Sequence, residues 1–166
     1  MKVSAKGIAL IKFFEALKLK PYLCSAGKPT IGYGNTYYAN GKKVTMQDPP
    51  ITKVQAEELF SITLASFEKD VNSLLTRPVT QSKFDALVSF AWNVGSDIDS
   101  DDKAEGLGDS QLLKKVLANP DDKTIWGEFL RWNQANKKPE LGLTRRRNAE
   151  AHLYFLDELN YYQNLK

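Results

Sequence analysis

Apolar residues recur at helical spacing near the start of the chain, at Ile8, Ile11 and Phe14. A stripe that repeats every three or four residues predicts an amphipathic helix. We place this helix over residues 4–19. It has to end there because Pro21 cannot occupy a helix interior.

The pattern then changes to turn residues and short β-type runs. A turn rich in Gly and Pro precedes the run Thr30–Gly34, whose composition is that of a strand. Asn40-Gly41 is a strong signal for a two-residue hairpin turn. We therefore predict hairpin structure from Ile31 to Tyr38, with Val44 on the returning strand.

The rest of the chain predicts a series of helices with recognisable ends. Thr52 and Gln55 form a capping box, which starts a helix that reaches about Leu75. Its spacing predicts an apolar side made of Leu59, Ile62, Phe67, Val71 and Leu74. Four later helices are predicted to start at Thr80 or Ser82, at Ser110, at Asp121 or Asp122, and near Thr144. The first of these ends at Gly95 and the second before Asn119. The last is predicted to include Leu159. The predicted fold class is α+β and mainly helical.

Composition narrows the class of protein. The chain has 166 residues, of which 42% are hydrophobic and 26% charged, as in one globular domain. A single cysteine excludes an intramolecular disulfide, so we expect folding in a reducing cytoplasm. No apolar run approaches the ~20 residues of a membrane span. Residues 1–12 lack the apolar core of a signal peptide.

Charge is distributed unevenly along the chain. Residues 1–43 carry a formal charge of +7, residues 44–130 carry −7 and residues 131–166 carry +3. Basic ends attract anionic polymers over long range, and nucleic acid and the bacterial wall are two such polymers. Lysines that only confer solubility are the alternative.

Glu15 is the only carboxylic side chain among the first 47 residues. A lone acid in a basic segment is a candidate charge partner or reacting group. The predicted helix end, turn and strand would place Glu15, Cys24 and Thr30 around one cleft.

These residues carry a resemblance to a known family. The spacing is Glu15-x8-Cys24-x5-Thr30, followed by Gly32-Tyr33-Gly34-x-Thr36. It resembles the Glu-x8-Asp-x5-Thr signature of the phage-type lysozymes, the endolysins of glycoside hydrolase family 24. The family's Asp is Cys24 here, and Asn35 stands where His is frequent. Three more stretches resemble the family in order along the chain: residues 84–95, 110–113 and 142–150.

The resemblance implies a lysozyme-like two-lobed domain, with a small β-containing lobe over about 14–60, a helical lobe over 1–13 and 61–166, and a cleft between them. It implies hydrolysis of the β-1,4 bond between N-acetylmuramic acid and N-acetylglucosamine in peptidoglycan. A monomer that waits in the host cytoplasm and needs no nucleic acid, metal or cofactor is expected. The catalytic residues it implies are Glu15 as general acid, with Cys24 and Thr30. The substrate-binding residues are Gly32, Tyr33, Trp92, Ser110 and Arg146.

Other interpretations of these residues stay open. Glu15 could be an ion-pair partner, and Cys24 a thiolate base, an electrostatic partner, a nucleophile or a buried structural residue. Cys24 with His152, the only histidine, would suit a thiol amidase or peptidase. A wall-binding protein without activity is the non-enzymatic alternative. Trp126 and Trp132 suit a core better than a sugar site.

Two charged segments complete the set of hypotheses. Residues 97–109 begin like a calcium loop, but the geometry requires Gly and Glu where Asp102 and Gly108 stand, so a solvated acidic loop is favoured. The C-terminal segment 131–166 could contact an anionic outer membrane through its basic residues, or form an ordinary packed helix. Those basic residues are Arg131, Lys137, Lys138 and Arg145 to Arg147.

Overall fold

The computed structural model describes residues 1–24, 27–99, 103, 105–135 and 137–165. Within these ranges the chain forms six helices and two antiparallel two-stranded sheets. The helices are α1 Ala5–Glu15, α2 Lys53–Leu74, α3 Gln81–Val94, α4 Gln111–Ala118, α5 Ile125–Leu130 and α6 Leu141–Leu156. The strands are β1 Lys18–Leu23, β2 Pro29–Gly32, β3 Gln134–Ala135 and β4 Lys138–Pro139. The predicted class, mainly helical α+β, is confirmed.

The chain divides into two compact units. One contains Met1–Ile11 together with Phe67–Lys166, and the other contains Lys12–Ser66. We call them the helical unit and the hairpin unit. Among the described residues, no helix has both the length and the apolar character that crossing a bilayer requires.

Helix α3 is the buried centre of the helical unit. Ten consecutive residues, from Ser82 to Ala91, are buried, because α3 packs against α6 while α5 packs on α6 and α4 on α5. Phe90 lies edge-on to Phe129 and Trp132, with ring centroids 5.6 and 5.4 Å away. Each fully buried side chain of this size stabilises the fold by about 1.5–3 kcal/mol.

The start of α1 is fixed by a residue of α3. The buried Asp85 accepts hydrogen bonds from the Ser4 backbone N–H at 3.0 Å and from Gln81 Nε2 at 2.7 Å. Ser4 Oγ also accepts from the Lys6 N–H at 3.2 Å and so caps the start of α1. A Cβ at Gly7 would lie 2.9 Å from the Asp85 side chain, so only glycine allows this approach.

The hairpin unit has a small core of its own. Ile31, Val44 and Leu59 are buried together, with Tyr38 and Ile51 packed against them. The capping box at the start of α2 is confirmed. The Thr52 N–H donates to Gln55 Oε1 at 2.8 Å, and the Gln55 N–H donates to Thr52 Oγ1 at 3.2 Å.

Several predicted boundaries were right. Helix α3 runs from Gln81 to Val94, and Gly95 follows it at φ 106°. Ser110 caps α4, which ends at Ala118. Tyr37 bridges to Lys43, so the chain turns where Asn40-Gly41 predicts, although only isolated bridges form there. The turn is longer than the two residues predicted: the Tyr38 N–H donates to the Lys42 carbonyl at 2.9 Å, so residues 39–41 form it, with Gly41 at φ 79°.

Other boundaries were wrong for identifiable reasons. Helix α1 ends at Glu15 and not at residue 19, because Ala16 adopts a left-handed φ of 48° and the following residues form β1. Helix α5 starts at Ile125, after Asp122 has accepted a hydrogen bond from the Thr124 N–H at 2.8 Å.

Two further expectations about the helices also failed. Helix α6 starts at Leu141 because the Glu140 carboxylate caps it, and it ends at Leu156, which leaves Leu159 outside. The Ile62 side chain, expected on the buried side of α2, is 52% exposed.

Candidate active site

A β-hairpin carries two of the three predicted catalytic residues. Strands β1 and β2 pair Lys18 with Gly32 and Tyr22 with Thr30, with an irregularity between the two pairs. Cys24 follows β1 directly, and its N–H donates to the Lys28 carbonyl at 3.0 Å. The hairpin therefore fixes the backbone at both Cys24 and Thr30.

Glu15 is the last residue of α1 and is half-buried. Burial raises the pKa of the Tyr22 phenol, and the negative charges of Glu15 and Cys24 raise it further. Tyr22 lies on β1, between the end of α1 and Cys24 in the chain. The sequence did not single out this residue.

Thr30 is linked to the turn that holds Cys24. Its side chain is almost fully buried, and Oγ1 donates to the Lys28 carbonyl at 2.9 Å. That carbonyl also accepts the Cys24 N–H. With its proton used in this way, the Thr30 hydroxyl keeps its lone pairs as acceptors.

The turn after β2 needs glycine. Gly32 has φ 67° and Gly34 has φ 88°, both in the left-handed region. A Cβ at Gly32 would meet Asn35 Oδ1 at 3.0 Å. Asn35 is buried; its Oδ1 accepts the Tyr33 N–H at 3.3 Å, and its Nδ2 donates to Thr63 Oγ1 at 2.8 Å. The neutral side chain of Asn35 therefore links this turn to α2 by hydrogen bonds.

Tyr33 contacts a charged cluster formed by Lys12 and Glu57. The Tyr33 hydroxyl donates to Glu57 Oε1 at 2.8 Å, and Lys12 pairs with Glu57 Oε2. The Lys12 ammonium lies 5.1 Å from the Tyr33 ring centroid and 4.7 Å from that of Phe60. The hydrogen bond from Lys12 lowers the pKa of Glu57, and that from Tyr33 lowers it further. Sequence reasoning missed Lys12 and Glu57, which are far apart in the chain and match no local motif.

The remaining predicted substrate-binding residues lie in the helical unit. Trp92 is half-buried, with its ring centroid 5.5 Å from that of Phe67. Ser110 is fully buried; its hydroxyl accepts the Leu113 N–H at 3.0 Å and donates to the Leu107 carbonyl at 2.6 Å. These contacts give Ser110 a capping role, and substrate contact by Trp92 and Ser110 stays a prediction.

Arg146 belongs to a buried ion cluster. Its Nε donates to Glu150 Oε1 at 3.1 Å, and its Nη2 donates to the Ser89 carbonyl at 3.1 Å. Only 4% of Arg146 is exposed. Substrate binding by Arg146 stays a prediction as well.

The acidic loop offers three candidate metal ligands in its described part. Carboxylate oxygens of Asp97, Asp99 and Asp109 lie within 4.8 Å of one another. Asp97 Oδ2 already accepts backbone N–H groups, among them that of Gly106 at 3.0 Å. Asp102, which breaks the calcium pattern, lies outside the described residues. Three carboxylates are fewer than the six to eight oxygens that Ca²⁺ takes.

His152 is engaged within the helical unit. Its Nδ1 lies 3.1 Å from the Tyr162 hydroxyl, and its Nε2 lies 3.9 Å from Glu158. The Trp126 ring lies 6.3 Å away, stacked on Phe155. These contacts explain the position of His152 as part of the packing of the helical unit, without a role for a thiol.

Comparison with known proteins shows the family to which the chain is similar. The sequence profile of the family described as phage lysozyme matches residues 12–150. An endolysin of Acyrthosiphon pisum secondary endosymbiont phage 1 is 35% identical over 158 residues, covering 93% of this chain and 98% of that protein.

Two solved structures are also similar. An endolysin from Escherichia coli O157:H7 phage FAHEc1 superposes with a TM-score of 0.82 at 36% identity, over 96% of this chain and 97% of that one. A mutant of phage P22 lysozyme has a TM-score of 0.74 at 30% identity, over 93% of this chain and 98% of that one.

Proposed function

This chain belongs to the phage lysozyme family, and from that membership we propose that it is an endolysin muramidase. It hydrolyses the β-1,4 bond between N-acetylmuramic acid and N-acetylglucosamine in peptidoglycan, and it lyses the bacterial host. The observation that carries the site assignment is the β1–β2 hairpin: it holds Cys24 and Thr30 on the one carbonyl of Lys28, and it follows directly on the end of α1, where Glu15 lies.

Glu15 supplies the proton in the proposed reaction. Cleaving a glycosidic bond requires a proton for the departing oxygen and stabilisation of a cationic sugar centre. Glu15 donates its proton to the bridging oxygen while the bond from that oxygen to the anomeric carbon breaks. Its place at the end of α1, half-buried, lets it face a substrate and stay fixed by the helix.

Cys24 and Thr30 act on the water. A water oxygen forms the new bond to the anomeric carbon, and one of its protons passes to the Cys24 thiolate. The Thr30 hydroxyl accepts a hydrogen bond from the same water, because its own proton is committed to the Lys28 carbonyl. Transfer of the proton from Cys24 back to Glu15 through solvent restores both groups.

The finer features of this function are part of the proposal. The enzyme works as a monomer, without nucleic acid, metal or cofactor. It is held in the host cytoplasm until another protein opens the inner membrane. Gly32 and Tyr33 line the glycan-binding surface next to the hairpin, and the exposed part of the basic C-terminal segment meets anionic cell surfaces.

One substitution tests the assignment of Glu15. Glu15→Gln keeps the shape and removes the transferable proton, so release of reducing ends from purified peptidoglycan should fall by roughly 10² or more. Glu58→Gln is the matched control, because Glu58 is an exposed residue of the same hairpin unit.

The same assay separates the alternatives. A wild-type protein that sediments with peptidoglycan and releases no reducing ends would be a wall-binding protein. A Glu15→Gln variant with near-normal turnover would show that Glu15 is not the acid.

A further inference from the structure

One carboxylate of the hairpin unit joins two segments that carry proposed catalytic residues. Lys12, in the last turn of α1, pairs with Glu57 Oε2, and the Tyr33 hydroxyl donates to Glu57 Oε1 at 2.8 Å. Glu57 lies near the start of α2, and all three residues belong to the hairpin unit. Each oxygen of Glu57 is therefore used by a different segment of the same unit.

The first of these segments is the end of α1, where Glu15 lies. Lys12 comes three residues before Glu15, and its carbonyl accepts the Ala16 N–H at 3.3 Å. Residues three or four apart are neighbours on one side of an α-helix. Because backbone hydrogen bonds close this turn, a link at Lys12 restrains the backbone of Glu15 as well.

The second segment is the turn that follows Thr30. Ile31 and Asn35 exchange two backbone hydrogen bonds of 2.9 Å and so close a loop that contains Tyr33. Tyr33 is buried, with 6% of its surface exposed. Since Ile31 follows Thr30 directly on β2, a link at Tyr33 restrains the strand that holds the Thr30 hydroxyl.

One side of α2 receives both segments. Glu57, Phe60 and Thr63 follow each other at intervals of three residues, which places them along one side of the helix. The Phe60 ring centroid lies 5.3 Å from that of Tyr33 and 4.7 Å from the Lys12 ammonium. Thr63 accepts a hydrogen bond from the same turn at 2.8 Å. Within this packed contact, Glu57 is the residue whose carboxylate bonds to both segments.

We propose that Glu57 is a positioning residue for the reaction, because it fixes the spacing between the helix end that carries Glu15 and the turn that follows Thr30. This inference rests on the proposed function, in which Glu15 gives a proton to the departing oxygen and Thr30 acts on the water. Reaction rates are sensitive to such spacing, since a misplacement of about 1 Å can cost roughly 10²-fold. Glu57 acts through Lys12 and Tyr33 and needs no contact with the substrate.

Glu57→Ala removes both links at once. We expect kcat for the release of reducing ends to fall about tenfold while KM stays the same, because the reacting groups are misplaced and binding is not affected. The Kd for peptidoglycan, measured by co-sedimentation in a Glu15→Gln background, should stay the same too. A rise in KM and Kd with an unchanged kcat would overturn the positioning role in favour of a binding role.

Glu128→Ala is the matched control for a purely structural role. Glu128 also bonds to two donors, Lys115 at 2.8 Å and Arg131 at 3.3 Å, and it belongs to the helical unit. Both Ala variants should melt at a lower temperature than the wild type. Only Glu57→Ala should lose kcat at a temperature where each variant is fully folded, and equal kcat values for the two would refute the proposal.

Glu57→Gln keeps both links without the charge. Its amide oxygen can accept from Lys12, and its Nε2 can donate to the Tyr33 hydroxyl, which is an acceptor as well as a donor. We therefore expect this variant to recover most of the kcat that Glu57→Ala loses. A Gln variant as slow as the Ala variant would show that the reaction uses the charge and not the two links.

Two further variants remove one link each. Tyr33→Phe loses the hydroxyl and keeps the ring beside Phe60, and Lys12→Met loses the ammonium. Each should lower kcat. Adding either one to Glu57→Ala should lower kcat no further, since changes within one network are not additive. Fully additive losses would contradict a role that passes through Glu57.

The wild-type protein separates this proposal from the function on which it rests. A folded wild type that releases no reducing ends would refute the muramidase function. An active wild type together with an equally active Glu57→Ala variant would refute only the role of Glu57.

Discussion

At the scale of single residues, position 24 carries a thiol where the family signature has a carboxylate. The Cys24 backbone is held by hydrogen bonds to Lys28 and Gly27, and the side chain is half-buried, so substitution should leave the turn intact. A carboxylate is ionised at neutral pH and accepts a proton readily. Cys24→Asp should therefore keep substantial activity, and Cys24→Ala should lose most of it. Cys24→Ser should fall between them or near Ala, as measured by reducing-end release.

Other roles for Cys24 give a different order of activities. A thiol nucleophile acting with His152 would make the Asp and Ala variants equally inactive, together with His152→Gln. A purely structural Cys24 would leave Ala and Ser near normal and make Asp unstable through a buried charge. A melting curve for each variant separates loss of folding from loss of chemistry. An active Ala variant would refute the role proposed for Cys24.

Single residues were predictable where a local motif exists. The spacing of Glu15, Cys24 and Thr30 is visible in the sequence, and the fold sets Thr30 opposite Tyr22 on the hairpin. Lys12 and Glu57 were not predictable, because their contact depends on the folded path between distant segments. Ser110 lies in a stretch that resembles the family and also caps α4. The sequence alone therefore does not distinguish a substrate contact from a structural role at this position.

At the scale of elements, an ion pair links α4 to α5. The hydrogen bond from Lys115 lowers the pKa of Glu128, and the hydrogen bond from Arg131 lowers it further. A carboxylate with a lowered pKa in the folded state contributes stability above its unfolded pKa, and the contribution is lost as pH falls through the folded pKa. The Glu128 side chain is only 10% exposed, so solvent screens this pair less than a surface pair.

Glu128→Gln should therefore reduce stability at pH 7 by about 1 kcal/mol. It should also make the decline of stability below pH 4.5 less steep, because one fewer carboxylate takes up a proton on unfolding. Urea unfolding of both proteins between pH 3 and pH 7 measures this. Glu58→Gln, on an exposed residue, should change neither quantity. Parallel curves for Glu128→Gln and wild type, offset at every pH, would contradict the linkage.

The elements themselves were predicted unevenly. The ends of α2, α3 and α4 were predicted within one or two residues. Side chains cap the starts of α2 and α4, and Gly95 follows α3. Strand β1 was missed because its sequence, Lys18–Leu23, contains two lysines and Pro21, and the helix predicted over residues 4–19 covered its first two residues. Its formation depends on pairing with β2 and on the left-handed backbone at Ala16, and neither has a local signature.

At the scale of the whole molecule, the basic C-terminal segment exposes only some of its charged side chains. The C-terminal segment contributes exposed charges at Arg131, Lys137 and Lys138. Arg146 and Arg147 are turned inward to Glu150, so composition overstates the charge that the segment presents to a surface. Whether this segment contacts an anionic outer membrane therefore depends on few side chains.

Charge reversal in the full-length protein tests that contact. Each Lys near an anionic membrane contributes about 1 kcal/mol of binding, so Lys137→Glu with Lys138→Glu should weaken partitioning to phosphatidylglycerol vesicles at least tenfold at low salt. The control pair, Lys114→Glu with Lys123→Glu, makes the same change of net charge at exposed lysines of the acidic middle segment and should weaken it much less. Vesicle co-flotation measures both, and reducing-end release from purified peptidoglycan should stay the same in all variants. Equal effects of the two pairs would mean that only net charge matters, and that residues 131–166 form no specific surface for the membrane.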